Sequence, residues 1–194
     1  MIKQTLYSKR TNLVIGFHGC DNSVVEKVIK GENLISSMND YDWLGNGVYF
    51  WANNAERALQ WAEDHKKEKP AIIGAVIDLG YCMDLIDSEF LKELREAFGV
   101  LKKTIELTGK EMPKNEGTTP DKLLRKLDCA VIQTACQINS DAGFLYDSVR
   151  GVFWEGMNYI PMHFLKRRII SKFVFVTPTV LKVISYPEKL MRTI

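Results

Sequence analysis

The sequence predicts an α+β fold on a largely antiparallel sheet. Short apolar segments of strand length open the 194-residue chain, two long amphipathic helical patterns fill its middle, and further short apolar segments close it. The glycine-rich Leu44-Gly45-Asn46-Gly47 precedes a strand, not a helix, and lacks a third glycine, so the dinucleotide fingerprint of a parallel doubly wound sheet does not apply. Repeats, low-complexity stretches and linkers are absent, and the length suits a single domain over 1–194.

Asn12 to Phe17 is expected as a strand entering a turn at His18-Gly19. Asp21 or Asn22 can cap a helix from Ser23 to Lys30, with Val24, Val25, Val28 and Ile29 as its apolar stripe and Gly31 as its stop. A polar loop from Ser36 to Leu44 leads to the strand Val48 to Trp51. Asn53 and Asn54 offer caps for a helix carrying Ala55, Ala58, Leu59, Trp61 and Ala62 on one side. Lys66 to Lys69 put positive charge at its end and Pro70 prevents continuation. Ala71 to Leu79 is a strand rich in Ile and Val.

Ser88 can cap a long helix with Phe90, Leu91, Leu94, Phe98, Leu101 and Ile105 on one face. A polar connector from Gly109 to Gly117 follows, and Thr119-Pro120-Asp121 has the form of a helix start, with Leu123, Leu124, Leu127, Val131, Thr134, Ala135 and Ile138 as core face. After Gly143 come a strand from Val149 to Gly156, a loop to Arg168, and strands around Phe173–Val176 and Val180–Ile184 joined by a turn at Thr177-Pro178.

Hydrophobic residues make up 46% and charged residues 26%, an ordinary globular composition, and the formal net charge of +2 does not by itself point to nucleic acid. Cys20, Cys82, Cys129 and Cys136 form no Cys-x-x-Cys pair and have no His at ligand spacing, so no metal is expected. Scattered thiols favour a reducing cytoplasm, and Met1 to Arg10 lacks the apolar run of a signal peptide. No stretch approaches the roughly 20 apolar residues of a membrane span.

Three strands each carry one polar residue among apolar ones: His18 in Ile15-Gly16-Phe17-His18-Gly19, Tyr49 in Val48-Tyr49-Phe50-Trp51, and Glu155 in Val152-Phe153-Trp154-Glu155. Side chains alternate across a strand, so Tyr49 and Trp51 oppose Val48 and Phe50, and His18 opposes Ile15 and Phe17. A His and a Tyr from neighbouring strands, beside glycines, make a floor for a flat ligand. Glu is almost never buried without a partner, which marks Glu155. Taken singly, His18 and Tyr49 read as core residues.

His-Gly in an early strand, Gly45-Asn46-Gly47-Val48-Tyr49-Phe50 and the late Glu155 together resemble the His-Tyr-Glu signature of ADP-ribosyltransferases of the diphtheria-toxin and poly(ADP-ribose) polymerase type. The resemblance runs from Gly16 to about Trp61 and resumes at Glu155. Cys20 departs from the small hydroxyl residue common after His-Gly, and the middle of the chain, about Asp84 to Tyr146, has no counterpart, its helical segment 88–138 being the part least like the family. The resemblance implies a split, mostly antiparallel sheet with an inserted helical segment, and NAD as substrate. It further implies that His18 bonds the adenosine ribose, that the Gly19 backbone binds the carboxamide, that Tyr49 stacks on the nicotinamide, and that Glu155 holds the nicotinamide ribose and steadies the oxocarbenium ion. Trp61 falls near a second stacking aromatic of that family.

The expected activity is therefore mono-ADP-ribosylation of a macromolecule, whether protein, RNA or DNA, by a toxin-like or defence effector, for which a cognate inhibitor or antitoxin would be a partner. NAD glycohydrolysis, with water as acceptor, and a catalytically silent NAD- or ADP-ribose-binding module are the alternatives. The connector Gly109–Thr119 either borders the acceptor side of the cleft or merely joins two helices. Lys166-Arg167-Arg168, Arg150, His65 and His163 read as solvated or structural residues. Cys20 shares a strand face with His18 but explains fewer residues as a nucleophile.

Overall fold

A computed structural model of the chain describes residues 13–65, 67–118, 122–155, 168–175 and 182–184. Strand β1 (Leu13–Asp21) passes straight through His18-Gly19, so this pair lies inside a strand and not at the turn expected for it. The cause is β3 (Pro70–Asp78), which pairs antiparallel with every residue of β1, from Leu13↔Asp78 to Asp21↔Pro70. A continuous ladder on one side holds the backbone extended past a glycine.

Asp21 ends β1 and caps α1 (Asn22–Ile29): one carboxylate oxygen accepts from the Ser23 amide and the other from the Lys69 amide, both at 3.0 Å. Those backbone donors lower its pKa to about 2. Gly31, at φ 94°, follows the helix end in the left-handed region that glycine tolerates. Strand β2 (Val48–Ala52) leads to α2 (Ala55–Asp64), whose N-terminus is capped by Asn54 Oδ1 accepting from the Arg57 amide at 3.0 Å.

A short strand without a sequence signal, β4 (Cys82–Asp84), precedes α3 (Ser88–Thr108), and Asp87, not Ser88, caps that helix. Helix α4 (Lys126–Asp141) starts later than Thr119-Pro120 suggests; residues 119–121 lie outside the described residues, and Leu123 and Leu124 precede the helix. Its cap arrives from the connector. Asn115 Oδ1 accepts from the amides of Leu127 and Asp128 at 2.9 and 3.2 Å, and Asn115 Nδ2 donates to the Asp128 carboxylate at 2.7 Å. The first-turn amides of a helix need such acceptors, and Arg125, at the cap position, supplies none. Glu116 and Leu124 also exchange backbone hydrogen bonds at 2.8 and 3.0 Å, so the connector is folded onto the helix start.

With β5 (Ser148–Glu155), β6 (Arg168–Phe175) and β7 (Lys182–Ile184), the strands order as β4-β5-β6-β2-β1-β3-β7. Every pairing is antiparallel except β4 with β5, and the fold is α+β with a mostly antiparallel sheet. Residues 176–181, including the expected turn at Thr177-Pro178, lie outside the described residues. The sheet narrows sharply at β1–β2, where only Gly16↔Ala52 and Phe17↔Trp51 are in register. This constriction divides it into a β7-β3-β1 half and a β2-β6-β5-β4 half.

Helices α3 and α4 cover the second half through Leu44, Met83, Ala97, Ile132, Ala135, Tyr146, Val149 and Val174. The inserted helical segment is therefore a packing layer. Helix α2 covers the first half through Ala58 against Trp51 and Ile72. On the opposite side, Val48 and Phe50 of β2 pack with Ala75, Ile77 and Leu79, bridging the halves. A fully buried Phe contributes roughly 1.5–3 kcal/mol, so this bridge ties the halves where the ladder is thin.

Helix α2 sits directly on β1 at Gly19. A Cβ at that position would stand 2.0 Å from the Ala58 carbonyl oxygen, a backbone atom. We expect Gly19→Ala to lower stability by about 3 kcal/mol or more, the upper range for core overpacking, read as the shift in denaturant midpoint. A variant as stable as wild type would mean that α2 is not seated there.

Candidate active site

The site grows from the constriction. Beyond Phe17↔Trp51 the two strands separate, and the Tyr49 carbonyl, next in line to face β1, receives no backbone amide from it. His18 takes its place: Nδ1 lies 2.8 Å from that oxygen and must carry the proton to donate to it. Nε2 is then the unprotonated nitrogen, able to accept. The His18 ring packs 5.7 Å from Phe50, on the face opposite Tyr49, so His18 and Tyr49 do not form one flat floor. They border the same cavity because the sheet is open between them.

That cavity has a volume of about 430 Å³ and is lined by four of the residues singled out from sequence: His18, Gly19, Tyr49 and Trp61. This lies within the ordinary range for small-molecule sites, roughly 300–1,000 Å³. The fifth, Glu155, is the last residue of β5, paired in register with Arg168 and two positions beyond Phe153. Its side chain lies outside the described residues. Lys166, Arg167 and His163 lie outside them altogether.

Tyr49 has both a ring face and a structural duty. Its hydroxyl donates to the Gly45 carbonyl at 2.5 Å and accepts from the Leu44 amide at 2.9 Å, closing the turn that precedes its own strand. Burial pushes its pKa far above the ordinary phenol value, so it stays protonated. Gly45 and Gly47, at φ 85° and 148°, supply the backbone conformations this tight turn requires. The turn is held from outside by Ser37, which exchanges backbone bonds with Gly47 at 2.8 and 3.0 Å, and by Gln133 Nε2 donating to Asn46 Oδ1 at 2.8 Å.

The remaining lining was not singled out from sequence. Trp43, Trp51 and Lys172 form one aromatic and cationic wall with Tyr49, Arg57 stands beside Trp51, and Leu123 and Leu124 sit at the mouth. Trp51 was legible by alternation from Tyr49. Lys172, a lone cation in Ile169-Ile170-Ser171-Lys172-Phe173-Val174, obeys the same polar-among-apolar rule that marked His18. His65 is exposed, as expected, yet it stacks on Trp61 at 4.1 Å and lines the cavity. Of the two readings of the connector Gly109–Thr119, the described residues support the one that joins two helices: no described residue of 109–118 lines the cavity, because Asn115 and Glu116 are engaged at the start of α4, whereas Leu123 and Leu124 beyond it do line it.

Other polar candidates have structural explanations. Burial, reinforced by Asp21, pushes the Cys20 thiol up to about 11, far from the depressed value a nucleophilic thiolate needs. Arg150 pairs with Asp84 at 3.7 Å between β5 and β4. Asp42 is the one carboxylate among the described residues that lines the cavity, and it accepts from the Asn39 amide at 3.1 Å. Among the described residues no cluster of three metal-capable side chains occurs, and no helix is long and apolar enough to cross a membrane.

Comparison with protein-family models finds no match, and no solved structure matches the chain. An uncharacterized protein of Methanocaldococcus jannaschii is 28% identical over 57 residues, 29% of this chain and 26% of that protein. The matched stretch thus spans about a quarter of that relative's length.

Two outcomes follow from this geometry. Burial holds the His18 pKa below its ordinary 6.5, against the raising effect of the Tyr49 carbonyl. The unfolded chain then binds more protons below pH 6.5, so stability present above that pH falls as the pH drops through this window. His18→Asn, which keeps an amide donor for the Tyr49 carbonyl, should remove that component from denaturant midpoints measured against pH; an unchanged slope would place the titration elsewhere. Tyr49→Phe leaves the Leu44 amide without its acceptor, an expected loss of about 1–3 kcal/mol, while keeping the ring face. Unchanged thermal stability would show that the hydroxyl does not hold the turn.

Proposed function

We propose that this chain is an NAD-dependent ADP-ribosyltransferase that transfers a single ADP-ribose to a macromolecular acceptor. One observation carries the reading: His18, Gly19, Tyr49 and Trp61, which the family resemblance names as dinucleotide-binding, border one cavity although they come from three elements. The chemistry of the lining supports it. The proton on Nδ1 leaves His18 Nε2 to accept from a ribose hydroxyl. Aromatic faces suit a nicotinamide ring, and Arg57 offers a permanent cation to a pyrophosphate.

Cleaving the nicotinamide–ribose bond sends the bonding electrons to the departing nicotinamide and leaves positive charge on the ribose. A fixed carboxylate near that charge lowers the barrier, and Glu155 is assigned that role. The acceptor then attacks the anomeric carbon and loses its proton. Exposed apolar side chains lining the cavity, Ile35, Tyr41, Leu123 and Leu124, support a macromolecular acceptor over water, and the aliphatic character of Ile35, Leu123 and Leu124 supports protein over nucleic acid. All four cysteines are free thiols, which fits a cytoplasmic setting.

Incubating the purified protein with labelled NAD and cell lysate tests the reading: labelled protein is expected, free ADP-ribose alone would indicate a glycohydrolase, and unchanged NAD would end the enzymatic reading. Glu155→Gln removes charge while keeping shape, so it should cut turnover by ~10²-fold or more with little change in NAD affinity. Asp42→Asn should cost less; the reverse order would move the carboxylate's role from Glu155 to Asp42.

A further inference from the structure

Lys172 is the buried charged residue among the described residues, and three aromatic rings lie close to its ammonium. Nζ lies 4.8 Å from the Tyr49 ring centroid and 5.0 Å from those of both Trp43 and Trp51. The register explains two of the three walls: Lys172 of β6 stands directly opposite Trp51 of β2, diagonal to Tyr49. The third wall, Trp43, is fixed from elsewhere. Its Nε1 donates to the Leu123 carbonyl at 2.8 Å, and the Phe153 ring meets it edge-on at 4.7 Å. Arg125 lies 5.3 Å from Trp43, and Arg57 lies 5.7 Å from Trp51. The walls thus have supports that do not involve Lys172. Within them, Trp51 Nε1 is a buried donor with no hydrogen-bond partner among the described residues. A lysine ammonium has no acceptor to offer it.

We infer that Trp43, Tyr49 and Trp51 form a binding site for an organic cation, and that the Lys172 ammonium is its resting occupant, displaced when a ligand's cationic ring enters. Facing aromatic rings attract a cation through their quadrupoles, most strongly where water is excluded. Arg125 and Arg57 each stand over a single ring, but two cations cannot both occupy the space that all three rings share, because like charges a few ångströms apart repel, so occupancy of that space is exclusive. Lysine suits a displaceable plug: a compact charge on a flexible four-carbon stem. The ring that displaces it can offer an acceptor, such as a carboxamide oxygen, to the unpartnered Trp51 N–H. That the ring is a pyridinium rests on the NAD reading above; the cage does not. Lys172 thereby becomes a specificity residue, since a neutral dihydronicotinamide brings no charge to repay the displacement.

The probe is 1-methylnicotinamide, a pyridinium without adenine or phosphate, titrated against the full chain by tryptophan quenching and calorimetry. A ligand's apparent affinity falls by the fraction of time its site is free, so Lys172→Met should bind about tenfold tighter or better than wild type. Trp43→Ala should weaken binding in both backgrounds, and uncharged nicotinamide should gain nothing from Lys172→Met. In wild-type protein carrying ¹³C-lysine, one Cε resonance should be shifted upfield by the rings and return to its ordinary position as the probe is added. Equal or weaker binding by folded Lys172→Met overturns the inference. If that variant does not fold, the wild-type spectrum decides, and a shifted lysine that is absent or indifferent to the probe overturns it equally. Binding of 1-methylnicotinamide without binding of NAD would leave the cage standing and sink the NAD reading; NAD binding with the caged lysine unmoved would do the reverse.

Discussion

One hydrogen bond, from His18 Nδ1–H to the Tyr49 carbonyl, stands where the backbone ladder between β1 and β2 stops. A buried carbonyl left without a donor at that point would cost roughly 1–3 kcal/mol. Supplying the donor from a side chain lets the strands part without that cost. The parting is what opens the cavity, and the donor that permits it also borders the cavity. The same bond fixes the imidazole tautomer, so the structural role of Nδ1 determines the chemical character of Nε2.

Around this opening the supports interlock. Gly19 admits α2 close to β1, which brings Trp61 beside Trp51 at 5.7 Å. The Tyr49 hydroxyl closes the turn that carries Leu44 into the α3–α4 core. Lys172 and Arg57 place permanent cations against the aromatic wall, while His18, its pKa lowered by burial, stays neutral. The lining therefore combines permanent positive charge, a neutral imidazole and several π faces.

Much of this was legible in the chain. Alternation located His18, Tyr49 and Trp51, caps located α1 and α2, and helical periodicity located α3. The failures have physical causes. The turn expected at His18-Gly19 gave way to a full ladder with β3, a non-local partner that no local signal reveals. Strand β4 is three residues long and exists through parallel pairing with β5. The start of α4 was misread because its cap, Asn115, lies eleven residues before Lys126 in a connector that resembles a free loop. Trp43 could not have been found from sequence: it sits in an irregular segment and is set in place by contacts to Leu123 and Phe153, 80 and 110 residues away. Lys172 could have been found, by the rule already applied to His18.

The most direct test is the structure of the Glu155→Gln protein bound to NAD. The account predicts the nicotinamide against Tyr49 and Trp51, with an adenosine-ribose hydroxyl at hydrogen-bond distance, about 3 Å, from His18 Nε2. A dinucleotide seated elsewhere, such as the groove of about 300 Å³ along α4 beside Ile132 and Cys136, would contradict it.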